Sequence, residues 1–279
     1  MSHILKTTLI GLFFGTFGST LGGIIGVSLK STSNKFLSFI LSFASGLMLS
    51  IVCFDLIPGS MELTNISNTI IGVIFGVICM IGCDILVERK FNSKIANKSG
   101  NNLLKTGIIV SIGLALHNFP EGLAIGSGFE ASITLGYSLA LAICLHDIPE
   151  GIAMGVTMKS GGMKVSKIIF YVVMSGITTG VGAFFGAIVG TISTEIIAMC
   201  LAFAGGAMLY ITQTEPSTAA DTMLVQMLLQ MSSAAVRRRQ HFCCLNFCLS
   251  LSNLSVFDGD CLDVLSNFGV FLINQFECV

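Results

Sequence analysis

Long apolar runs separated by short charged segments dominate the first 215 residues of the chain. A helix needs about 20 mostly apolar residues to cross the hydrocarbon core of a membrane. We therefore expect an all-α fold, a polytopic membrane helical bundle with seven transmembrane helices. The predicted spans lie between Lys6 and Lys30, between Lys35 and Asp55, over residues 70–87, 106–129 and 131–158, between Lys167 and Glu195, and between Glu195 and Glu215.

The composition supports a membrane protein. Of the 279 residues, 53% are hydrophobic and 10% are charged, and the mean hydropathy is +0.88. A soluble domain has about 25% charged residues, so this chain has too few to cover a surface in water. The formal net charge of -1 provides no basic surface for nucleic acid. The lipid bilayer is therefore an expected partner, and nucleic acid is not.

Basic residues lie in alternate loops. They occur in the turn after the first span, in residues 88–105 and in the loop after the fifth span. The intervening loops carry Glu62, Glu130 and Glu195 but no Lys or Arg. Since basic loops remain in the cytoplasm, we expect residues 88–105 there and the amino terminus outside. The expected location is the plasma membrane.

The composition changes after residue 215. Residues 216–279 contain only 2 of the 31 glycines but 5 of the 10 cysteines. Within them, residues 241–257 form a weak candidate for an eighth span. We therefore divide the chain into a transmembrane domain, 1–215, and a divergent carboxy-terminal tail, 216–279.

Two near-copies of one motif lie in the fourth and fifth predicted spans. His117 and Glu121 are four residues apart, as are His146 and Glu150, so each pair lies on one helix face. Ionisable residues within a span are costly and mark a site or a pathway. The copies read His-Asn-Phe-Pro-Glu-Gly-Leu-Ala-Ile-Gly over residues 117–126 and His-Asp-Ile-Pro-Glu-Gly-Ile-Ala-Met-Gly over residues 146–155.

Proline and glycine inside each copy affect the helix that carries it. Pro120 and Pro149 each remove a backbone donor, which leaves a carbonyl one turn earlier without its helical partner. Irregular backbone of this kind is tolerated in a membrane where protein or a hydrated cavity satisfies it. Gly122 and Gly151 allow a neighbouring helix to approach closely.

Convergence of the two copies predicts a metal site. Two neutral imidazoles and two ionised carboxylates carry a charge near -2, which matches a divalent cation. Nitrogen and oxygen ligands in a four-coordinate set suit Zn(II), and less selectively Fe(II), Mn(II), Co(II) or Cd(II). A site without thiolates can also release its ion, as transport requires. The metal is then cargo, and we expect no prosthetic group.

These paired motifs resemble those of the ZIP (Zrt/Irt-like) family of divalent metal transporters. Further similar segments occur at residues 43–48, 54–58, 160–163 and 204–210. The resemblance implies eight spans, both termini outside, homodimers in many members and uptake of Zn(II) toward the cytoplasm. It also implies a primary site of His117, Glu121, His146 and Glu150. Asn118 and Asp147 would join a second metal bridged by the glutamates.

Two departures from the family pattern matter. Thr179 stands where many members have a glutamate in the sixth span, so a second metal loses one carboxylate. Residues 88–105 contain no histidine, whereas many members have a His-rich stretch there, so metal sensing by this loop is not supported.

Three questions stay open at the sequence level. An intramembrane zinc metalloprotease is one alternative function, although no HExxH motif occurs and we expect no enzyme. A metal-sensing membrane protein without transport is another. Asp55 could either attract entering cations or cap a helix end at the membrane surface, and His3 and His241 are assigned no role.

Overall fold

The computed structural model describes residues 3–29, 33–95 and 102–214. The tail, 216–279, and its weak span, 241–257, lie outside the described residues. Within the described ranges the regular structure is helical, with α1 to α8 and one π-helical segment, Val52–Leu56, between α2 and α3. The helices are α1 His3–Ser28, α2 Asn34–Ile51, α3 Ile57–Leu63, α4 Ile66–Ile95, α5 Asn102–Ala131, α6 Ile133–Ser160, α7 Val165–Gly190 and α8 Thr194–Thr214.

The predicted fold class is confirmed: the described part of the chain is an all-α bundle of a multi-pass membrane protein. Six helical stretches there are long and apolar enough to cross a membrane. Helix α5, which contains the fourth predicted span, is not one of the six. It has 30 residues and carries His117, Asn118 and Glu121 near its middle. The number of spans therefore remains a prediction.

The second span is longer than the sequence pattern indicates. Its apolar helical stretch runs over Lys35–Leu63, through α2, the π-helical segment and α3, instead of ending at Asp55. Asp55 lies within the π-helical segment and is half-buried. Because two further helical turns follow it, Asp55 does not cap the end of this span.

The helices form two closely packed groups. In the first group α1 packs on α6 and α7, and α5 packs on α7 and α6. In the second group α8 packs on α4 and α3, and α8 also packs on α5. Glycine permits the close approach in the first group. A Cβ atom at Gly22 of α1 would overlap the carbonyl oxygen of Ile148 in α6, and one at Gly122 of α5 would overlap the carbonyl oxygen of Thr179 in α7. The backbones of α1 and α6 are therefore in direct contact, and so are those of α5 and α7.

The apolar core lies mainly where the two groups meet. Its members include Met48, Val52 and Leu56 from the second span, Ile125 and Ile143 from α5 and α6, and Leu201 and Met208 from α8. The outward faces of the helices carry large exposed apolar side chains, among them Phe13, Phe75 and Phe170. Such faces suit contact with lipid, because lipid tails are as apolar as the side chains.

Candidate metal centre

Helices α5 and α6 bring the two sequence repeats together inside the bundle. His117 and Glu121 come from α5, and His146 and Glu150 come from α6. All four side chains are buried: Glu121 is 0% exposed and His146 1%, while His117 and Glu150 are 5% and 6% exposed. We call these four residues the candidate centre. Ionisable groups at this depth need partners, because burial of an unpaired charge is costly.

The helices that carry the centre run without interruption through their prolines. Pro120 lies inside α5 and Pro149 inside α6. Each proline lies one residue before the glutamate. The backbone of each of the two helices therefore lacks one amide donor next to the centre. Gly122 of α5 packs closely against α7, and Gly151 of α6 packs closely against α1. The repeat therefore combines local backbone irregularity with tight packing.

The two histidines and two glutamates pair across the helices. His117 Nε2 lies 2.7 Å from Glu150 Oε1 of the other helix, but 3.9 Å from Glu121 Oε1 of its own. His146 Nε2 lies 3.2 Å from Glu121 Oε1 and 3.0 Å from Glu150 Oε1. The ring centroids are 6.3 Å apart. All four side chains thus face one small region between the helices.

These distances suit a shared metal ion. In a tetrahedral site with metal–ligand bonds near 2.0 Å, neighbouring ligand atoms lie about 3.3 Å apart. The four separations between histidine nitrogen and glutamate oxygen fall on both sides of this value. Two groups of three residues have ligand atoms within 4.8 Å of one another, namely His117, Glu121 and His146, and His146, Asp147 and Glu150.

Asn118 and Asp147 lie beside the centre and are also buried. Asn118 is 1% exposed and Asp147 is 0% exposed. Neither oxygen of Asp147 receives a hydrogen bond from a described residue. Asp147 interacts with Glu121, so a third carboxyl group lies in this region. Uncompensated carboxylates at this burial favour a cation among them.

A backbone carbonyl that the sequence did not indicate fixes the orientation of one histidine. His146 Nδ1 lies 3.3 Å from the carbonyl oxygen of Ala44 in α2. A carbonyl only accepts, so Nδ1 donates and the neutral ring keeps its lone pair on Nε2, which faces the glutamates. No side-chain pattern could reveal this partner, because any residue type at position 44 supplies the same carbonyl.

Other residues considered from the sequence lie apart from these contacts. Thr179 is buried in α7, where its side chain packs against Gly15 of α1, and its Oγ1 has no hydrogen-bond partner among the described residues. His3 pairs with Glu130, at 3.0 Å between Nδ1 and Oε1, near the end of α5. Position 241 lies outside the described residues.

Comparison with known proteins agrees with the motif resemblance. Residues 90–223 match the family described as ZIP Zinc transporter. We call this matched segment of the chain the ZIP domain. This ZIP domain includes α5 to α8 and therefore all six residues proposed as ligands from the sequence.

Three relatives of the ZIP domain are zinc transporters by name. ZupT of Shigella dysenteriae serotype 1 (strain Sd197) is 32% identical over 126 residues, which are 43% of this chain and 49% of the relative. GufA of Myxococcus xanthus is 40% identical over 117 residues, 42% of this chain and 46% of the relative. ZupT of Escherichia coli (strain K12 / DH10B) is 32% identical over 126 residues, with 43% and 49% covered. The chain thus matches about half the length of these relatives.

Proposed function

We propose that this protein moves divalent metal cations, above all Zn(II), across the membrane toward the cytoplasm. The observation that carries the proposal is the buried set of two histidines and two glutamates, paired across α5 and α6 at 2.7 and 3.2 Å. The ZIP domain and its zinc-transporting relatives support the same activity. The ion is cargo and is not converted, so we expect neither an enzyme nor a prosthetic group.

The charge of the candidate centre supports a divalent cargo. Two ionised glutamates with neutral histidines give a charge near -2, which a divalent cation neutralises. Asp147 lies next to His146 and supplies a third buried carboxylate. Attraction between a dication and carboxylates is strong in a low-dielectric interior and offsets part of the hydration that the ion loses.

The ligand types favour Zn(II) among the divalent metals. Two imidazole nitrogens and two carboxylate oxygens form a borderline set that suits zinc in four-coordination. Fe(II), Mn(II), Co(II) and Cd(II) accept the same ligands and are the alternative cargoes that we propose. Among the described residues, Asn118 and Asp147 are the proposed additional ligands, because their side-chain oxygens are buried without a hydrogen-bond donor there.

The direction and location of transport rest on the positions of basic residues. The amino terminus is proposed to lie outside and residues 88–105 in the cytoplasm of a cell with this protein in its plasma membrane. A contact supports one part of this arrangement. Lys159 Nζ donates to the carbonyl oxygens of Val27, at 2.5 Å, and Leu29, at 2.8 Å, so the carboxyl ends of α1 and α6 lie at the same end of the bundle. A homodimer is proposed on the family resemblance alone.

The decisive experiment removes the two negative charges while keeping the side-chain shape. The double variant Glu121→Gln, Glu150→Gln is compared with the parent for uptake of Zn(II), Fe(II), Mn(II), Co(II) and Cd(II) into proteoliposomes. Loss of charge from a buried set costs about 3 to 5 kcal/mol, so we expect Zn(II) uptake to fall roughly 100-fold or more. The protein should still insert into the bilayer.

Glu130→Gln is the matched control. Glu130 lies on the same helix as Glu121 but pairs with His3 near the end of α5. We expect this variant to retain uptake near that of the parent. Zn(II) flux at the parent rate in the double variant would show that the ion does not use the candidate centre.

A further inference from the structure

Asn118 is held by a single residue of the neighbouring helix. Its side-chain nitrogen Nδ2 lies 3.1 Å from the backbone carbonyl oxygen of Ser175 in α7 and 3.1 Å from the hydroxyl oxygen of the same residue. Both residues are buried, at 1% and 4% exposed. The Asn118 side chain therefore has its nitrogen directed toward α7 by two acceptors of one residue.

These contacts define which way the amide of Asn118 points. An asparagine side chain has an NH2 group with two donors and an oxygen that only accepts. A backbone carbonyl also only accepts, so the reversed amide would place two oxygens against each other. The carbonyl of Ser175 thus requires the nitrogen on the α7 side, and the oxygen Oδ1 must face away from that carbonyl.

The oxygen that remains has no donor to satisfy it. Asn118 Oδ1 is buried and receives no hydrogen bond within the described part of the chain. Both carboxylate oxygens of Asp147, which follows His146, are in the same condition. A buried carbonyl oxygen without a donor is uncommon in proteins and indicates an additional partner such as an ion or water. Oxygen atoms of this kind are the ligands that harder cations prefer.

We propose that Ser175 is a positioning residue that turns the amide oxygen of Asn118 toward the transported cation. This inference rests on the proposed function, because it assumes that an ion passes the candidate centre. Ser175 itself does not contact the ion. It acts through Asn118 and so makes α7 a contributor to the oxygen part of the site, whereas α5 and α6 supply the nitrogen ligands.

The consequence is a difference between metals. Mn(II) prefers oxygen ligands and depends more on a correctly directed amide oxygen, while Zn(II) is also held by the two histidines. Loss of one hydrogen bond to the amide should loosen its orientation without removing it, because the Ser175 carbonyl remains. The effect should appear in the KM for Mn(II) more than in the maximal rate.

The test compares Ser175→Ala with Thr178→Val for uptake of Mn(II) or Zn(II) from the external solution into proteoliposomes. Thr178 Oγ1 donates to the same Ser175 carbonyl, at 2.6 Å, and not to Asn118, so Thr178 is a matched control for loss of a hydroxyl on this turn. We expect Ser175→Ala to raise the KM for Mn(II) about three- to tenfold and that for Zn(II) less than about twofold. Thr178→Val should leave the KM for Mn(II) and the KM for Zn(II) near those of the parent.

A second pair of variants distinguishes positioning from general damage. In an Asn118→Ala background, Ser175→Ala should cause no further change in the ratio of the two KM values. Ser175→Thr, which keeps the hydroxyl, should restore the parent ratio. If Ser175→Ala does not insert, Ser175→Cys replaces it, since the thiol keeps the volume but accepts hydrogen bonds weakly.

Two results would overturn the role of Ser175. One is an unchanged Mn(II)-to-Zn(II) ratio in the Ser175 variants, and the other is an equally large effect when Asn118 is already alanine. Failure of the proposed function would look different, because the parent protein would then transport neither metal, or would transport Zn(II) normally after both Glu121 and Glu150 are changed to glutamine.

Discussion

We expect the two histidine nitrogens to decide how strongly the candidate centre distinguishes zinc from harder metals. His117 and His146 both point Nε2 toward the glutamates, and the Ala44 carbonyl fixes this orientation for His146. Changing either histidine to alanine leaves mainly oxygen ligands. We expect the KM for Zn(II) to rise about tenfold or more and that for Mn(II) about two- to threefold, because oxygen suits the harder ion. Uptake of both metals by the same proteoliposomes measures this ratio.

His3→Ala is the control for the histidine variants. His3 pairs with Glu130, not with the centre, and its loss should leave both KM values near those of the parent. A histidine variant that weakens Mn(II) as much as Zn(II) would show that the imidazoles do not select the metal.

Thr179 bears on how many ions each protomer holds. It occupies the position of a family glutamate and packs on Gly15, without a carboxylate to offer a second ion. We expect about one tightly bound Zn(II) per protomer, measured by elemental analysis of purified protein, because a dication needs compensating anionic ligands. The variant with both Glu121 and Glu150 changed to glutamine should hold about none. A parent value near two would show that Asn118 and Asp147 bind a second ion without that carboxylate.

At the scale of the helices, α1 and α6 are in direct backbone contact next to Glu150 of the centre. A Cβ atom at Gly22 would overlap the carbonyl oxygen of Ile148 and approach Gly151, on either side of Glu150. We expect Gly22→Ala to destabilise the protein by about 1 to 3 kcal/mol, because backbone atoms cannot move aside as a flexible side chain can. Thermal unfolding in detergent, together with Zn(II) uptake, measures the effect.

Gly82 in α4 provides the matched control. A Cβ atom there would meet no other atom within 4 Å. Gly82→Ala should be neutral or stabilise the protein by up to about 1 kcal/mol, since alanine is the better helix former. Equal destabilisation by both substitutions would mean that the close contact of α1 with α6 is not what makes Gly22 necessary.

At the scale of the whole molecule, the predicted orientation can be tested by labelling. The chain has ten cysteines, so single cysteines are introduced into a cysteine-free background. Ser99→Cys, within residues 88–105, should react with a membrane-impermeant reagent only after the cells are opened. Thr191→Cys, between α7 and α8, should react in intact cells. The reverse pattern would place the amino terminus in the cytoplasm.

The apolar pattern of the sequence predicted the positions of most of the long helices. Apolar runs predicted five of the seven spans within a few residues of the long apolar helices, because the membrane imposes length and hydropathy on each helix separately. The second span was predicted too short, since the charge of Asp55 suggested an end. The helix instead continues through a π-helical segment to Leu63, where tertiary packing around Leu56 buries the chain.

The sequence by itself determined the fold class and the residues from which a metal site could be built. Both are local properties: the hydropathy of each run and the spacing of His and Glu within each repeat. Only the tertiary structure decided that His117 lies closer to Glu150 than to Glu121, that Ala44 orients His146 and that Ser175 orients Asn118. These relations join residues 33 to 102 positions apart along the chain. They depend on how far each helix is rotated and shifted against its neighbours, and glycine contacts spread over α1, α5, α6 and α7 set that arrangement.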